Sequence, residues 1–252
     1  MTPKNMTDKV ALITGAASGL GRATAIRLAS AGASLCIVDL NATGLDETAT
    51  QARALGAKVL VHPTDLTVRE NCGQAVAATV KEFGRLDALC NVAGIIVMCH
   101  ASDMSQVDFE RTVAVNLNAP FYLIQAAIPH LLEVDGAVVN VTSSAAFVGE
   151  AYAVAYCATK AGLTHMTKAL AMEYVHKTIR FNAVAPGGMA TGMGATIKFP
   201  PDTDFAMVKR YSGLRGMVEI EDVAEAIAML ASPAGRSYHG ACITVDKGIC
   251  AG

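Results

Sequence analysis

Tyr156 and Lys160 stand four residues apart in the small-residue run AYCATKAG. On a helix that spacing puts a phenol and an ammonium on one face. Such a pair is either a solvated edge or an acid–base device. Oxidising an alcohol removes the hydroxyl proton while a hydride leaves the same carbon, so a base must sit beside the reacting C–O bond. A tyrosine, with an ordinary pKa of about 10, is a poor base near neutral pH. A neighbouring ammonium favours the phenolate and is expected to lower that value. Ala158, Ala161 and Gly162 would let the helix lie close to its surroundings. Ser143 lies 13 residues before Tyr156, just after the apolar run GAVVNV. A hydroxyl at the carboxyl end of a strand can bind a substrate oxygen and stabilise alkoxide-like charge as it develops. Ser144, next in the chain, could compete for that role.

A second group of residues suits a dinucleotide. Thr14-Gly15-Ala16-Ala17-Ser18-Gly19-Leu20-Gly21 joins an apolar strand to a helix. Glycines let the backbone turn and approach a pyrophosphate, and the helix behind them offers free N–H groups and a positive dipole end. Asp39 follows Gly21 by 18 residues, near the ~20-residue spacing at which a carboxylate reaches the adenosine ribose hydroxyls. Its charge would repel a 2′-phosphate, Leu40 stands where an arginine could bind one, and Ala16 to Ser18 add no cation. The cofactor indicated is NAD rather than NADP. A turn or cap role for Asp39 is the alternative.

These residues need a frame. The runs KVALIT, SLCIVD, KVLVHP, DALCNV, GAVVNV, IRFNAV and CITVD read as seven strands. Between them the helix candidates run over residues 20–31, 43–55, 68–83, 107–132, 154–176 and 220–230. Such alternation implies right-handed crossovers and a parallel sheet covered on both faces, an α/β doubly wound fold. Pro120, four residues after Asn116, should kink the 107–132 helix and free the Asn116 carbonyl. No repeat or linker divides the chain, so one domain spans 1–252. Residues 187–217, rich in Gly, Pro and Met, read as a lid over the site.

Composition narrows the partner. Apolar residues make up 52% and charged residues 17%, with a net charge of −2 and no basic run. That excludes a nucleic-acid or anionic-lipid surface and leaves a small molecule. The polar start MTPKNMTDK has no apolar signal segment, and no stretch reaches the ~20 apolar residues of a membrane span. Seven scattered cysteines without a CxxC pair, and no closely spaced histidines, read as reduced thiols without a metal site. The expected location is the cytoplasm.

Thr14-Gly15-x-x-x-Gly19-x-Gly21, Asn91-Val92-Ala93-Gly94, Ser143, Tyr156-x-x-x-Lys160 and Pro186-Gly187-x-x-x-Thr191 occur in the order and spacing of the short-chain dehydrogenases/reductases. The chain resembles that family over almost its whole length. The resemblance implies a Rossmann-type domain that moves a hydride between NAD(H) and a secondary alcohol or ketone. It implies Asn116, Ser143, Tyr156 and Lys160 as the catalytic set, with Lys160 also holding the nicotinamide ribose and Asn116 linking a water to Lys160. Around the cofactor it implies Gly15, Ser18, Gly19, Leu20, Gly21, Asp39, Leu40, Asp65, Leu66, Asn91, Ala93, Gly94, Pro186, Gly187, Met189 and Thr191, and it implies a homotetramer. Val92, Ala146 and Lys247 depart from the family's usual Asn, Gly and Gly. Two rivals remain. One is a 3-oxoacyl-thioester reductase of the same family, mostly NADPH-dependent there and disfavoured by Asp39. The other is a non-catalytic NAD(H) sensor or scaffold. The apolar lid, with Met189, Met193, Ile197, Phe199, Phe205, Met207, Val208, Tyr211, Leu214 and Met217, joins Ile95 to Met98 and Phe147-Val148 in suggesting an apolar cyclic or steroid-like substrate, with Glu150 and Tyr152 able to address a polar group.

Overall fold

The computed structural model describes residues 6–190, 197–209, 213 and 215–251, so Thr191, Met193, Tyr211 and Leu214 lie outside the described residues. Seven strands form one sheet: β1 (Val10–Thr14), β2 (Ser34–Asp39), β3 (Val59–Pro63), β4 (Ala88–Asn91), β5 (Ala137–Val141), β6 (Arg180–Pro186) and β7 (Cys242–Val245). All neighbours are parallel, in the order β3-β2-β1-β4-β5-β6-β7. The helices are α1 (Gly19–Ser30), α2 (Ala42–Ala54), α3 (Arg69–Phe83), α4 (Gln106–Val113), α5 (Ala119–Leu132), α6 (Val154–Glu173), a short α7 (Phe205–Lys209) and α8 (Ile220–Ala231).

Strand periodicity feeds two cores. On β1, Ala11 and Ile13 join the core shared with α1, α2 and α8, while Leu12 joins the one shared with α3, α5 and α6. On β2, Leu35 and Ile37 divide from Cys36 and Val38 in the same way. Successive side chains on a strand point to opposite faces, so a central strand must be apolar throughout. Each fully buried Leu or Ile contributes about 1.5–3 kcal/mol. The order of connection reverses beside β1, with β2 on one flank and β4 on the other. Ligand clefts of such sheets open at the strands' carboxyl ends at this reversal.

The single helix expected over 107–132 is instead α4, a π-helical turn over Ala114–Asn118, and α5. The Ala119 N–H donates to the Ala114 carbonyl, and Pro120 sits in the first turn of α5, where a missing N–H costs little. The irregularity that Pro120 foretold is an inserted residue in the turn before it. No described helix is long and apolar enough to cross a membrane. All seven cysteines are free thiols.

Candidate active site

The turn from β1 to α1 packs at the limit of backbone contact. A Cβ on Gly21 would lie 2.0 Å from the Gly15 carbonyl oxygen, so only glycine lets the helix start this close to the strand. The Thr14 hydroxyl accepts from the N–H groups of Val92 and Ala93, both at 3.0 Å, tying this turn to the loop after β4. Ser18 caps α1 without a side-chain bond to its N–H groups.

Asp39 closes one end of the cleft. Its carboxylate accepts from the N–H groups of Ala17, at 3.2 Å, and Asn41, at 3.0 Å. The turn-residue alternative is therefore realised in part, yet two oxygens with these two partners keep lone pairs for further donors. Arg22, nearby on α1, is engaged elsewhere: it donates to the carbonyls of Ala17 (2.6 Å) and Gly44 (3.3 Å) and to Thr48 (3.0 Å), and pairs with Glu47 at 2.7 Å. Leu40 is exposed beside Asp39. Asp65 accepts from the Thr67 N–H and hydroxyl, at 2.9 and 2.7 Å.

At the other end α6 presents Tyr156 and Lys160. Lys160 is buried, its ammonium donating to the Val141 carbonyl at 2.8 Å and lying 5.7 Å from the centre of the Tyr156 ring. Burial pulls the Lys160 pKa down to about 8. Burial also pushes the Tyr156 phenol up to about 12, with a hydrogen bond from Ser143 opposing it. The tyrosine pKa expected to fall beside the lysine is instead raised in the protein alone, because loss of water disfavours the charged form. Of the two serines, Ser143 lines the cleft with Tyr156, and its hydroxyl accepts from the Ala145 N–H at 3.2 Å.

Asn116 is fully buried in the π-helical turn. Its carboxamide accepts from the Ile95 N–H at 2.8 Å, donates to the Ile95 carbonyl at 2.9 Å and donates to Thr159 at 3.2 Å. It clamps the loop after β4 to α6, a side-chain role the sequence did not reveal. A Cβ on Gly94 would come within 3.3 Å of both Asn116 Oδ1 and Lys160 Nζ, so glycine keeps the cleft floor open above the lysine.

These pieces border one cleft of about 700 Å³. Gly15, Ser18, Gly19, Leu20, Gly21, Asp39, Leu40, Asp65, Leu66, Ala93, Gly94, Ser143, Tyr156, Lys160, Pro186, Gly187 and Met189 line it. Asn116 and Asn91 stand behind the wall. Asn91 is buried and donates to Asn140 across the β4–β5 pair at 2.8 Å. Sequence reasoning missed Arg111, Ala114 and Val115, which also line the cleft. The π-helical turn shifts their face by one residue, so 3.6-residue periodicity could not find them. Lys247 takes a left-handed backbone, φ 51°, beside Gly248, and its ammonium donates to the Met217 carbonyl.

A family model described as enoyl-(acyl carrier protein) reductase matches residues 15–250. The chain belongs to the short-chain dehydrogenase/reductase family. It is 37% identical over 247 residues to 2,5-dichloro-2,5-cyclohexadiene-1,4-diol dehydrogenase LinX of Sphingobium indicum, covering 96% of each chain. It is 34% identical to cyclohexanol dehydrogenase of Acinetobacter sp. SE19, covering 95% of this chain and 94% of that one. Among solved structures, levodione reductase superposes with a TM-score of 0.90 at 31% identity, over 98% of this chain and 99% of that one. A Burkholderia cenocepacia short-chain dehydrogenase in complex with NADP gives 0.87 at 30% identity, over 97% and 98%. This short-chain dehydrogenase/reductase is therefore an oxidoreductase that acts on CH–OH groups with a nicotinamide cofactor.

Proposed function

We propose that the enzyme interconverts an apolar cyclic secondary alcohol and its ketone with NAD(H), as a cytoplasmic homotetramer. The observation that carries the reading is the buried Lys160 ammonium 5.7 Å from the centre of the Tyr156 ring, with Ser143 lining the same end of a dinucleotide-sized cleft.

The residues present fit a nicotinamide adenine dinucleotide. Gly15 to Gly21 would hold the pyrophosphate, Asp39 the adenosine ribose, Asp65 and Leu66 the adenine, and Lys160, Pro186 to Met189 and Thr191 the nicotinamide end. The open space above Gly94 admits the ribose to the lysine. When bound, the nicotinamide accepts the hydride in oxidation and returns it in reduction. Tyr156 takes the hydroxyl proton during oxidation and gives it back during reduction. Ser143 donates to the substrate oxygen, where charge builds as the C–H bond breaks. Lys160 holds positive charge near the phenol, and the oxidised ring's positive charge adds to it, so the raised phenol pKa of the protein alone falls in the complex. Asp39 supports NAD over NADP through its free lone pairs and the prior engagement of Arg22.

The substrate class rests on the walls beyond Tyr156. Phe147, in the loop after β5, and Phe205 and Met207, on α7, are exposed apolar side chains, and Phe199 packs on Phe205 at 5.5 Å between ring centres. Named relatives act on ring alcohols, cyclohexanol among them. Seven free thiols suit a reducing compartment. Exposed Phe109, Phe121 and Val154 supply apolar side chains on the helices for assembly.

The test is turnover of a panel of cyclohexanols, hydroxysteroids, polyols and 3-hydroxyacyl thioesters by the enzyme and its Tyr156→Phe variant. The variant keeps the ring and should bind NADH normally while kcat falls by on the order of a thousandfold or more. Near-normal turnover would refute the mechanism, and a preference for polyols or thioesters would refute the substrate class.

A further inference from the structure

Tyr152 holds a left-handed backbone, φ 68°, which a bulky residue adopts only when its surroundings demand it. Two segments make that demand. Its carbonyl accepts from the Cys99 N–H at 2.9 Å, in the loop after β4. Its hydroxyl accepts from the Asp204 N–H at 2.9 Å, in the segment that leads into α7. Its ring meets the edge of His100 at 5.2 Å and 88°. The same imidazole reaches back to Asp202, with Nε2 at 2.9 Å from the carboxylate. Tyr152 itself lies in the loop after β5, four residues before Tyr156. One side chain and its own backbone thus join all three loops that extend from the carboxyl ends of the sheet on the side away from Asp39.

The contacts lie at the start of a short helix. Asp204 Oδ1 accepts from the Ala206 N–H at 2.8 Å, and α7 brings Phe205 against Phe199. A five-residue helix does not hold itself in place. This segment is held in part by what it is tied to.

We propose that Tyr152 is a positioning residue for the substrate, fixing the 197–209 segment, with its Phe199–Phe205 pair, against the loops after β4 and β5 before the alcohol arrives. The proposal rests on the reading of Ser143, Tyr156 and Lys160 as the reacting centre. Preorganisation of this kind lowers the ordering cost of binding and leaves the chemical step alone. Tyr152 touches neither substrate nor cofactor in this role.

Tyr152→Phe keeps the ring against His100 and removes only the acceptor for the Asp204 N–H. KM for the alcohol should rise about fivefold, the ratio that one net hydrogen bond supplies. The kcat should stay within about twofold, and NADH affinity, read from cofactor fluorescence, should be unchanged. Hydrogen–deuterium exchange of residues 203–206 should quicken in the same variant without substrate. That readout does not depend on turnover, so it separates failure of this proposal from failure of the active-site reading, which Tyr156→Phe tests. Unchanged KM with unchanged exchange would overturn the proposal. So would a fall in kcat at constant KM, or a large drop in melting temperature with kcat and KM changing together.

Discussion

Tyr156, Lys160 and Glu150 are three ionisable groups that burial holds toward their neutral forms, and each reports a different part of the site. Glu150 is the one outside the proposed chemistry. Burial pushes its carboxyl up to about 7, against the opposing hydrogen bond from Ser144. A carboxyl whose folded pKa lies above its unfolded value binds an extra proton in the native state, so its contribution to stability is complete below the unfolded pKa and is lost as pH rises through about 7. Glu150→Gln removes that loss. The variant should be about 1–2 kcal/mol more stable than the parent at pH 8, after allowance for its partial exposure, and little changed at pH 4. Denaturant melts at both pH values decide it, and parallel pH dependence in the two proteins would show that Glu150 ionises freely. Asp39 acts at the opposite end of the cleft by its charge. Asp39→Ala should weaken NAD on the order of tenfold, the size of one charge-assisted hydrogen bond, and shift the kcat/KM ratio toward NADP. An unchanged ratio would reduce Asp39 to the turn residue that its bonds to Ala17 and Asn41 also describe.

Elements explain which of these residues could be read in advance. The seven strands were legible because a parallel sheet covered on both faces needs unbroken β-branched runs, and VALIT or AVVNV has no other use. Helix limits such as Val154 and Ile220 were legible for a similar reason, since apolar residues recur on one face. The π-helical turn at Ala114–Asn118 was not, because an inserted residue leaves composition unchanged and alters only which carbonyl each N–H meets. Asn116 was therefore singled out for its carbonyl, while its carboxamide is what clamps Ile95 and Thr159. The left-handed Tyr152 was hidden because it is a non-glycine residue in a conformation that sequence assigns to glycine, whereas Lys247, in the same conformation, was marked by standing where the family usually has glycine. The β1–α1 turn is the opposite case, with geometry tight enough to dictate type. Gly21→Ala must move either α1 or the Gly15 carbonyl, which a Cβ would meet at 2.0 Å. That strain should cost about 1–3 kcal/mol of stability and weaken NADH binding together. Loss of neither in melting and titration experiments would mean that the turn yields without consequence.

On the scale of the molecule, the proposed tetramer would draw on two surfaces of different kinds. One is the exposed apolar side chains on the helices, Phe109 on α4, Phe121 on α5 and Val154 on α6. The other is β7, the last strand of the sheet, whose outer edge has no partner strand among the described residues. Unpaired edges invite pairing or cover, and exposed apolar faces invite burial. A dihedral tetramer uses two distinct isologous interfaces, and these two surfaces are independent enough to serve as the pair. Light scattering should then give four times the 26.1 kDa chain mass. Phe121→Glu places a charge where a two-fold contact would bring it against its own copy, so desolvation and like-charge repulsion act together on that interface. The β7 edge is untouched by the change. The variant should therefore fall to a dimer rather than a monomer, with its melting temperature reduced because assembly no longer contributes. A wild-type monomer would remove the tetramer outright, whereas a variant that still forms tetramers would move the interface away from the α4–α5 face and leave Phe121 as an ordinary exposed side chain.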